Sequence, residues 1–188
     1  HYTKCHMTFS SVHIKASHTY SMFSIKKKFR ILVACRANIT RSAYLCGYFD
    51  KLLHDQYTHA RKRIEIVSAG VEARQGSVAH DVVKHVAQLN GFSLRKHQSN
   101  PFTRSIVKRA DVILVMEQWQ KDQLIKRYPF ATDKIFLLME YLWHGPAEEI
   151  RDVPDPTGKN TEDYHEFINI AHQEAERILH ELSRQGIL

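Results

Sequence analysis

No stretch of this sequence is both long and apolar enough to cross a bilayer, which takes roughly 20 such residues in a helix. Its first residues also lack the apolar core of roughly 7–15 residues that marks a secretory signal. Both absences point to a soluble chain working in the cytoplasm. Cysteine is scarce and odd in number: Cys5, Cys35 and Cys46 are the whole supply. That excludes a disulfide-stapled secreted domain and fits a reducing compartment in which a single thiol can do chemistry. Acidic charge is in deficit, 20 Asp and Glu against 27 Lys and Arg, so the formal charge is +7 and partners of negative charge are favoured. The compact basic runs, Lys26-Lys27-Lys28 with Arg30 and Arg61-Lys62-Arg63, have no aromatics interleaved as a nucleic-acid platform would. They read as solvated surface, and neither a nucleic-acid nor a membrane partner is expected. There is no internal repeat and no sign of a second domain.

What is present divides in two. Residues 1–27 carry His1, His6, His13 and His18 and show no sustained period of 2 or 3.6. They read as an extension outside the folded domain, either a flexible tail or sequence foreign to the natural chain, with Met7 and Met22 as candidate starts. Cys5 among those histidines matches no zinc spacing. Residues 28–188 read as one folded domain. Phe29 to Ala34 (FRILVA) has the branched, apolar texture of a buried strand. Leu45, Tyr48, Phe49, Leu52 and Leu53 recur at helical spacing behind it. Ile64 to Ser68, Asp111 to Met116 and Ile135 to Met139 are three further strands. A helix is expected over Val78 to Leu89, with Val82, Val83, Val86 and Leu89 on one face and Gly91 as its stop. Another precedes Pro129. The last helix has the longest apolar stripe, Tyr164 through Leu182, capped by Asn160 or Thr161. Apolar strands alternating with amphipathic helices imply an α/β fold with a parallel sheet covered on both faces, and ligands at the carboxyl ends of its strands.

At one such end stands Cys35-Arg36-Ala37-Asn38-Ile39-Thr40-Arg41-Ser42, the turn from the first strand into the first amphipathic helix. Backbone N–H groups in such a turn converge, and the helix dipole adds positive charge, so a phosphate-sized dianion is the natural occupant. A thiol there is stabilised as thiolate. Arg41, six residues on, offers a planar fork to two phosphate oxygens, and Ser42 supplies a hydroxyl for the sulfur or a loop carbonyl. Alternatively Cys35 is a structural cysteine beside a surface arginine. Thiolate attack on a phosphate ester expels an oxyanion that must be protonated, then leaves a phosphocysteine that water must hydrolyse. A carboxylate on a polar loop is therefore required. Residues 150–158 (IRDVPDPTG) offer Asp155, flanked by two prolines that stiffen its backbone, with Asp152 as the rival. Neither motif calls for a metal or a cofactor.

Taken together, the C-x5-R-S loop after the first strand and the Asp-Pro dipeptide before the last helix resemble the low-molecular-weight protein tyrosine phosphatases. The similarity spans about residues 29–184 with the motifs in the same order. It implies a four-stranded parallel sheet in the order 2-1-3-4, an order the periodicity alone leaves open. It also implies Cys35 as nucleophile, Arg41 as phosphate clamp, and Asp155 as general acid and then base. Residues 36–42 form the phosphate cradle, and Asn38 holds its shape through hydrogen bonds to Ser42, Ser68 and His97. The substrate implied is a phosphotyrosine protein, with a bacterial tyrosine kinase as one setting. Oligomeric state is left open.

Departures from the family pattern carry their own expectations. Ala37 replaces a customary glycine, so the cradle must accept a Cβ. Arg36 adds charge at the rim and favours acidic peptides. Thr40 stands where many members have a second cysteine, which removes a protective disulfide and exposes Cys35 to irreversible oxidation. Cys46 reads as a small core residue. Thr157 and Gly158 follow Asp-Pro where aromatics are usual, and Trp119 or Trp143 are the candidates to wall the tyrosine pocket from elsewhere. Arsenate reduction needs two downstream cysteines that are not present after Cys46. Arginine phosphatases carry threonine where Ile39 stands, and its bulk suits a phenyl ring better. An inactive phosphate-binding module would have no need of Cys35 and Asp155 together.

Overall fold

The computed structural model describes residues 28–188; the expectations for residues 1–27, Cys5 among them, lie outside the described residues. Four parallel strands form the sheet: β1 (Phe29–Cys35), β2 (Ile64–Gly70), β3 (Val112–Val115) and β4 (Ile135–Leu137), in the order β2-β1-β3-β4. The expected order 2-1-3-4 is therefore the order found. Five α-helices accompany them: α1 (Arg41–Asp55), α2 (Asp81–Leu89), α3 (Arg104–Arg109), α4 (Gln118–Arg127) and α5 (Thr161–Arg184). Short 3-10 turns cover Pro129–Lys134 and Ala147–Glu149.

Alternation along the central strand divides the core. Ile31, Val33 and Cys35 point to the face covered by α1 and α5, where Phe167, Ala171, Ile178 and Leu182 close the layer. Leu32 and Ala34 point the other way, toward Val107, Leu124 and Tyr128 around α3 and α4. All five of these β1 residues are buried, which is why the strand reads as a continuous apolar run. In register, Cys35 lies opposite Gly70 at the carboxyl end of the sheet. Among the described residues, no helix is long and apolar enough to cross a membrane.

Three differences from the expected elements have physical causes. The helix foreseen over Val78 to Leu89 begins at Asp81, because Val78 instead bridges Gln98 from the segment that follows the helix. Its apolar stripe is not uniformly buried: Val83 and Ala87 enter the core, whereas Val82 and Leu89 remain exposed. Helix α2 packs against α1 and faces α5 across an open groove, which leaves the outer part of that stripe uncovered. Helix α3 carries no sequence signal beyond the Thr103 cap, whose hydroxyl accepts from Ile106 N at 3.3 Å. By contrast, Gly91 behaves as foreseen. It sits at φ 81°, and Phe92 N and Gly91 N donate back to Ala87 O and Gln88 O, closing a Schellman turn.

Candidate active site

The loop between β1 and α1 is held from outside by its own carbonyls. Those of Cys35, Arg36, Asn38, Ile39 and Thr40 accept, in turn, from Val71 N, Glu72 N, His97 Nε2, His80 N and Tyr44 N at 2.7 to 2.9 Å. A trans peptide unit points its N–H opposite to its C=O. With these carbonyls turned to the scaffold, the corresponding amides face the concave side, the arrangement that binds an anion at a helix N-terminus.

Asn38 is where this geometry is bought. It adopts φ 57°, in the left-handed region that Asn tolerates better than most residues. Its side chain donates to Ser42 Oγ at 2.8 Å and accepts from Asn100 N at 2.9 Å, which locks the turn. With Asn38 donating to it, the Ser42 hydroxyl lies 3.0 Å from Cys35 Sγ and can give its hydrogen to a thiolate there. Asn38 N adds a second donor to the sulfur at 3.3 Å. Gly70 completes the cradle from β2: a Cβ there would lie 2.7 Å from Arg36 O and 2.8 Å from Ala37 C. Only glycine permits this approach.

Arg41 is 1% exposed. Its Nη1 pairs with Glu117 Oε2 at 2.8 Å and donates to Val153 O at 2.8 Å, while Nη2 donates to Asp155 Oδ2 at 2.7 Å. The buried Nε has no hydrogen-bond partner among the described residues. An unpaired buried donor is costly, and here it belongs to a guanidinium beside the cradle that a phosphate oxygen can satisfy. Asp155 also accepts from Thr157 N at 3.0 Å, and the Thr157 hydroxyl donates to Thr40 Oγ1 at 3.0 Å, stitching the Asp-Pro loop to the cradle. Asp152 is elsewhere: it accepts from Gln118 N at 2.8 Å and anchors the loop to the start of α4.

Cys35, Arg36, Ala37, Ile39, Thr40, Arg41, Asp155 and Thr157 thus share a cleft of about 530 Å³. Asn38, Ser42 and His97 stand directly behind it. Ser68 does not join them. It makes no hydrogen bond to Asn38; burial pushes the nearby Cys46 thiol up to about 12, and Asn100 N takes the Asn38 side-chain oxygen instead. Arg36 and Glu72 form an exposed ion pair at the rim, 3.0 Å apart. Trp119 lines an adjoining hollow with Arg36, Arg41 and Asp155. Trp143 lies away from the cleft, donating to Pro146 O and lying under Arg177.

Sequence reasoning passed over Glu117, Asn100 and Ser99. Glu117 immediately follows the β3 run at a strand's carboxyl end, a position that flags site residues in parallel sheets. Buried Ser99, which accepts from Ser77 N and donates to Arg74 O, and Asn100 sit in an irregular segment with no local signal.

Comparison with known proteins identifies the family. The family model described as low molecular weight phosphotyrosine protein phosphatase matches residues 30–187. A putative low molecular weight protein-tyrosine-phosphatase of Klebsiella pneumoniae is 32% identical over 145 residues, covering 77% of this chain and 91% of that protein. Among solved structures, the tyrosine phosphatase Wzb from Escherichia coli K30, in complex with sulphate, superposes with TM-score 0.69 at 27% identity, over 81% of this chain and 97% of its own. The YwlE arginine phosphatase from Geobacillus stearothermophilus superposes with TM-score 0.73 at 26% identity, over 84% and 94%. The fold and these relatives define a protein phosphatase, a phosphoric monoester hydrolase. Within that class, the chain belongs to the low molecular weight protein-tyrosine-phosphatase family.

Proposed function

We propose that this enzyme hydrolyses phosphotyrosine in protein substrates by way of a phosphocysteine intermediate. The observation that carries this reading is the convergence of Cys35 Sγ, the Arg41 guanidinium and the Asp155 carboxylate on one anion cradle. The substrate phosphate takes the inward loop amides and Arg41, including its unpaired Nε. Phosphate thereby replaces Asp155 on Nη2, and the freed carboxyl holds the proton for the leaving phenolate. The Cys35 thiolate attacks phosphorus in line, the P–O bond to tyrosine breaks, and Asp155 hands its proton to the departing oxygen. Water then attacks the phosphocysteine, with Asp155 as base, and the sulfur leaves as thiolate. Ser42 and Asn38 N stabilise that thiolate at both ends of the cycle.

Phosphotyrosine is favoured over phosphoarginine by the walls. Ile39 on one side and Trp119 on the other offer apolar surface to a phenyl ring. The protein substrate is tyrosine-phosphorylated, a bacterial tyrosine kinase being one candidate, in the reducing cytoplasm that the sparse cysteines suit.

Hydrolysis of p-nitrophenyl phosphate, of a phosphotyrosine peptide and of a phosphoarginine peptide by wild type and Cys35→Ser tests both steps. Expected are loss of all turnover in Cys35→Ser with retained phosphopeptide binding, and at least roughly tenfold higher kcat/KM for phosphotyrosine in wild type, about 1.4 kcal/mol of discrimination. Full activity in Cys35→Ser sinks the mechanism; preference for phosphoarginine sinks the substrate assignment.

A further inference from the structure

Beside the catalytic cleft runs a second concavity, of about 640 Å³, between α2 and α5. Its floor is Val82, Val86 and Leu89 from α2 with Tyr164 and Ile168 from α5. Val82 and Leu89 are 41% and 73% exposed, two of only five large apolar side chains so exposed among the described residues. A strongly amphipathic helix thus leaves part of its apolar stripe open, a pattern that marks interaction surfaces.

We propose that this groove is a docking site for the substrate polypeptide, taking apolar side chains of the segment that flanks the phosphotyrosine. The proposal rests on the phosphatase reading above and extends it to substrate choice. Three observations commit the groove to that occupant.

It is continuous with the cleft, since Lys159 borders both, and the Ile39 carbonyl of the phosphate loop accepts from His80 N at the start of α2. A chain whose phosphotyrosine sits on Cys35 therefore leaves the cleft at the groove's mouth. The nine residues of α2 extend roughly 13 Å at 1.5 Å each, which an extended peptide covers in about four residues.

Its rim suits a peptide backbone. Asn169 presents an amide that donates and accepts, while Lys159, His85 and His165 border it and no carboxylate does. A segment with acidic residues meets no repulsion there.

The Tyr164 hydroxyl is the third observation. Tyr164 is 7% exposed, and its hydroxyl is buried with no hydrogen-bond partner among the described residues. Burial, reinforced by the charge of Asp155, raises the phenol's affinity for its proton, so the group remains a donor. Natural interiors seldom leave such a donor orphaned. Tyr164 lines the groove, and a small turn of its ring on docking brings the hydroxyl to a carbonyl or carboxylate of the bound chain.

The test compares a phosphotyrosine peptide bearing Leu or Ile two to five residues from the phosphotyrosine on both sides with its Ser-substituted version. Each is measured as kcat/KM on the full chain, with p-nitrophenyl phosphate as the small-substrate reference. Wild type is expected to prefer the apolar peptide about tenfold. Val82→Asp and Leu89→Glu, both at exposed positions and outside the catalytic machinery, should abolish that preference while leaving p-nitrophenyl phosphate hydrolysis unchanged. Tyr164→Phe should raise KM several-fold for both peptides, leaving their ratio, p-nitrophenyl phosphate turnover and thermal stability unchanged.

A preference absent in wild type, or intact in Val82→Asp and Leu89→Glu, overturns the docking site while p-nitrophenyl phosphate turnover upholds the phosphatase. So does sedimentation showing a dimer that those variants dissociate with peptide preference unaltered, since the groove would then receive a second copy. If no phosphotyrosine substrate is hydrolysed, the catalytic reading falls and the docking site falls with it.

Discussion

Asp155 and Asp152 are three residues apart, yet their surroundings give them different work. Asp155 sits against Arg41 in the cleft, tied at its other oxygen to Thr157 N, while Asp152 caps the start of α4. Asp155→Ala should slow phenyl phosphate hydrolysis by about 10²–10³, within the range of a lost general acid. Aryl esters with leaving groups of low basicity should be slowed far less. Asp152→Ala should leave that dependence on leaving group intact. A plot of log kcat against leaving-group pKa for the three proteins decides; a steepened slope in Asp152→Ala instead moves the acid to that residue. Arg41 shows why such roles are partly hidden in sequence. Its spacing from Cys35 is local and legible, but Glu117, which pairs with the same guanidinium, lies 76 positions away and is brought in only by β3 packing beside β1.

At the level of elements, the site is a junction between the end of β2 and the loop after β1. Gly70 lies opposite Cys35 in the strand register and lets Arg36 and Ala37 pass within van der Waals distance of its backbone. Gly70→Ala forces a methyl into that contact, and backbone atoms cannot rotate out of the way. Overpacking of this kind costs about 1–3 kcal/mol. The variant should lose stability in that range by denaturant unfolding and bind inorganic phosphate several-fold more weakly as a competitive inhibitor. Unchanged phosphate inhibition would show that the cradle tolerates the displacement. Helix α2 teaches a related lesson: its period was legible, but which part of the apolar stripe meets the core was not, because that depends on how α1 and α5, elsewhere in the chain, pack beside it.

Across the whole molecule, α5 locks onto α1 through an aromatic stack that includes a titrating group. His172 lies flat on Tyr48 with ring centroids 3.9 Å apart and hydrogen-bonds the Tyr44 hydroxyl through Nε2 at 2.9 Å. Burial lowers its pKa below the ordinary 6.5, against the opposing pull of Glu176. The unfolded chain therefore takes up this proton first, and stability falls as pH drops below about 6.5 until the folded pKa is reached. His172→Phe should flatten that part of the profile in urea unfolding between pH 7 and 5; an unaltered slope would assign the acid sensitivity to other groups. The sequence by itself determined the local facts: a buried strand, a cysteine loop opening a helix, the Asp-Pro turn and the long apolar stripe of α5. Each is written in residues close along the chain, where periodicity and turn chemistry act. Strand order came through the family resemblance, since parallel strands of similar apolar texture can be laid side by side in several ways. Only the tertiary structure decided that Glu117 and Asp155 share Arg41, that Asn100 rather than Ser68 holds Asn38, and that the groove beside α2 stays open. Those contacts join residues far apart in the chain, and no local pattern encodes which distant groups the packed sheet brings together.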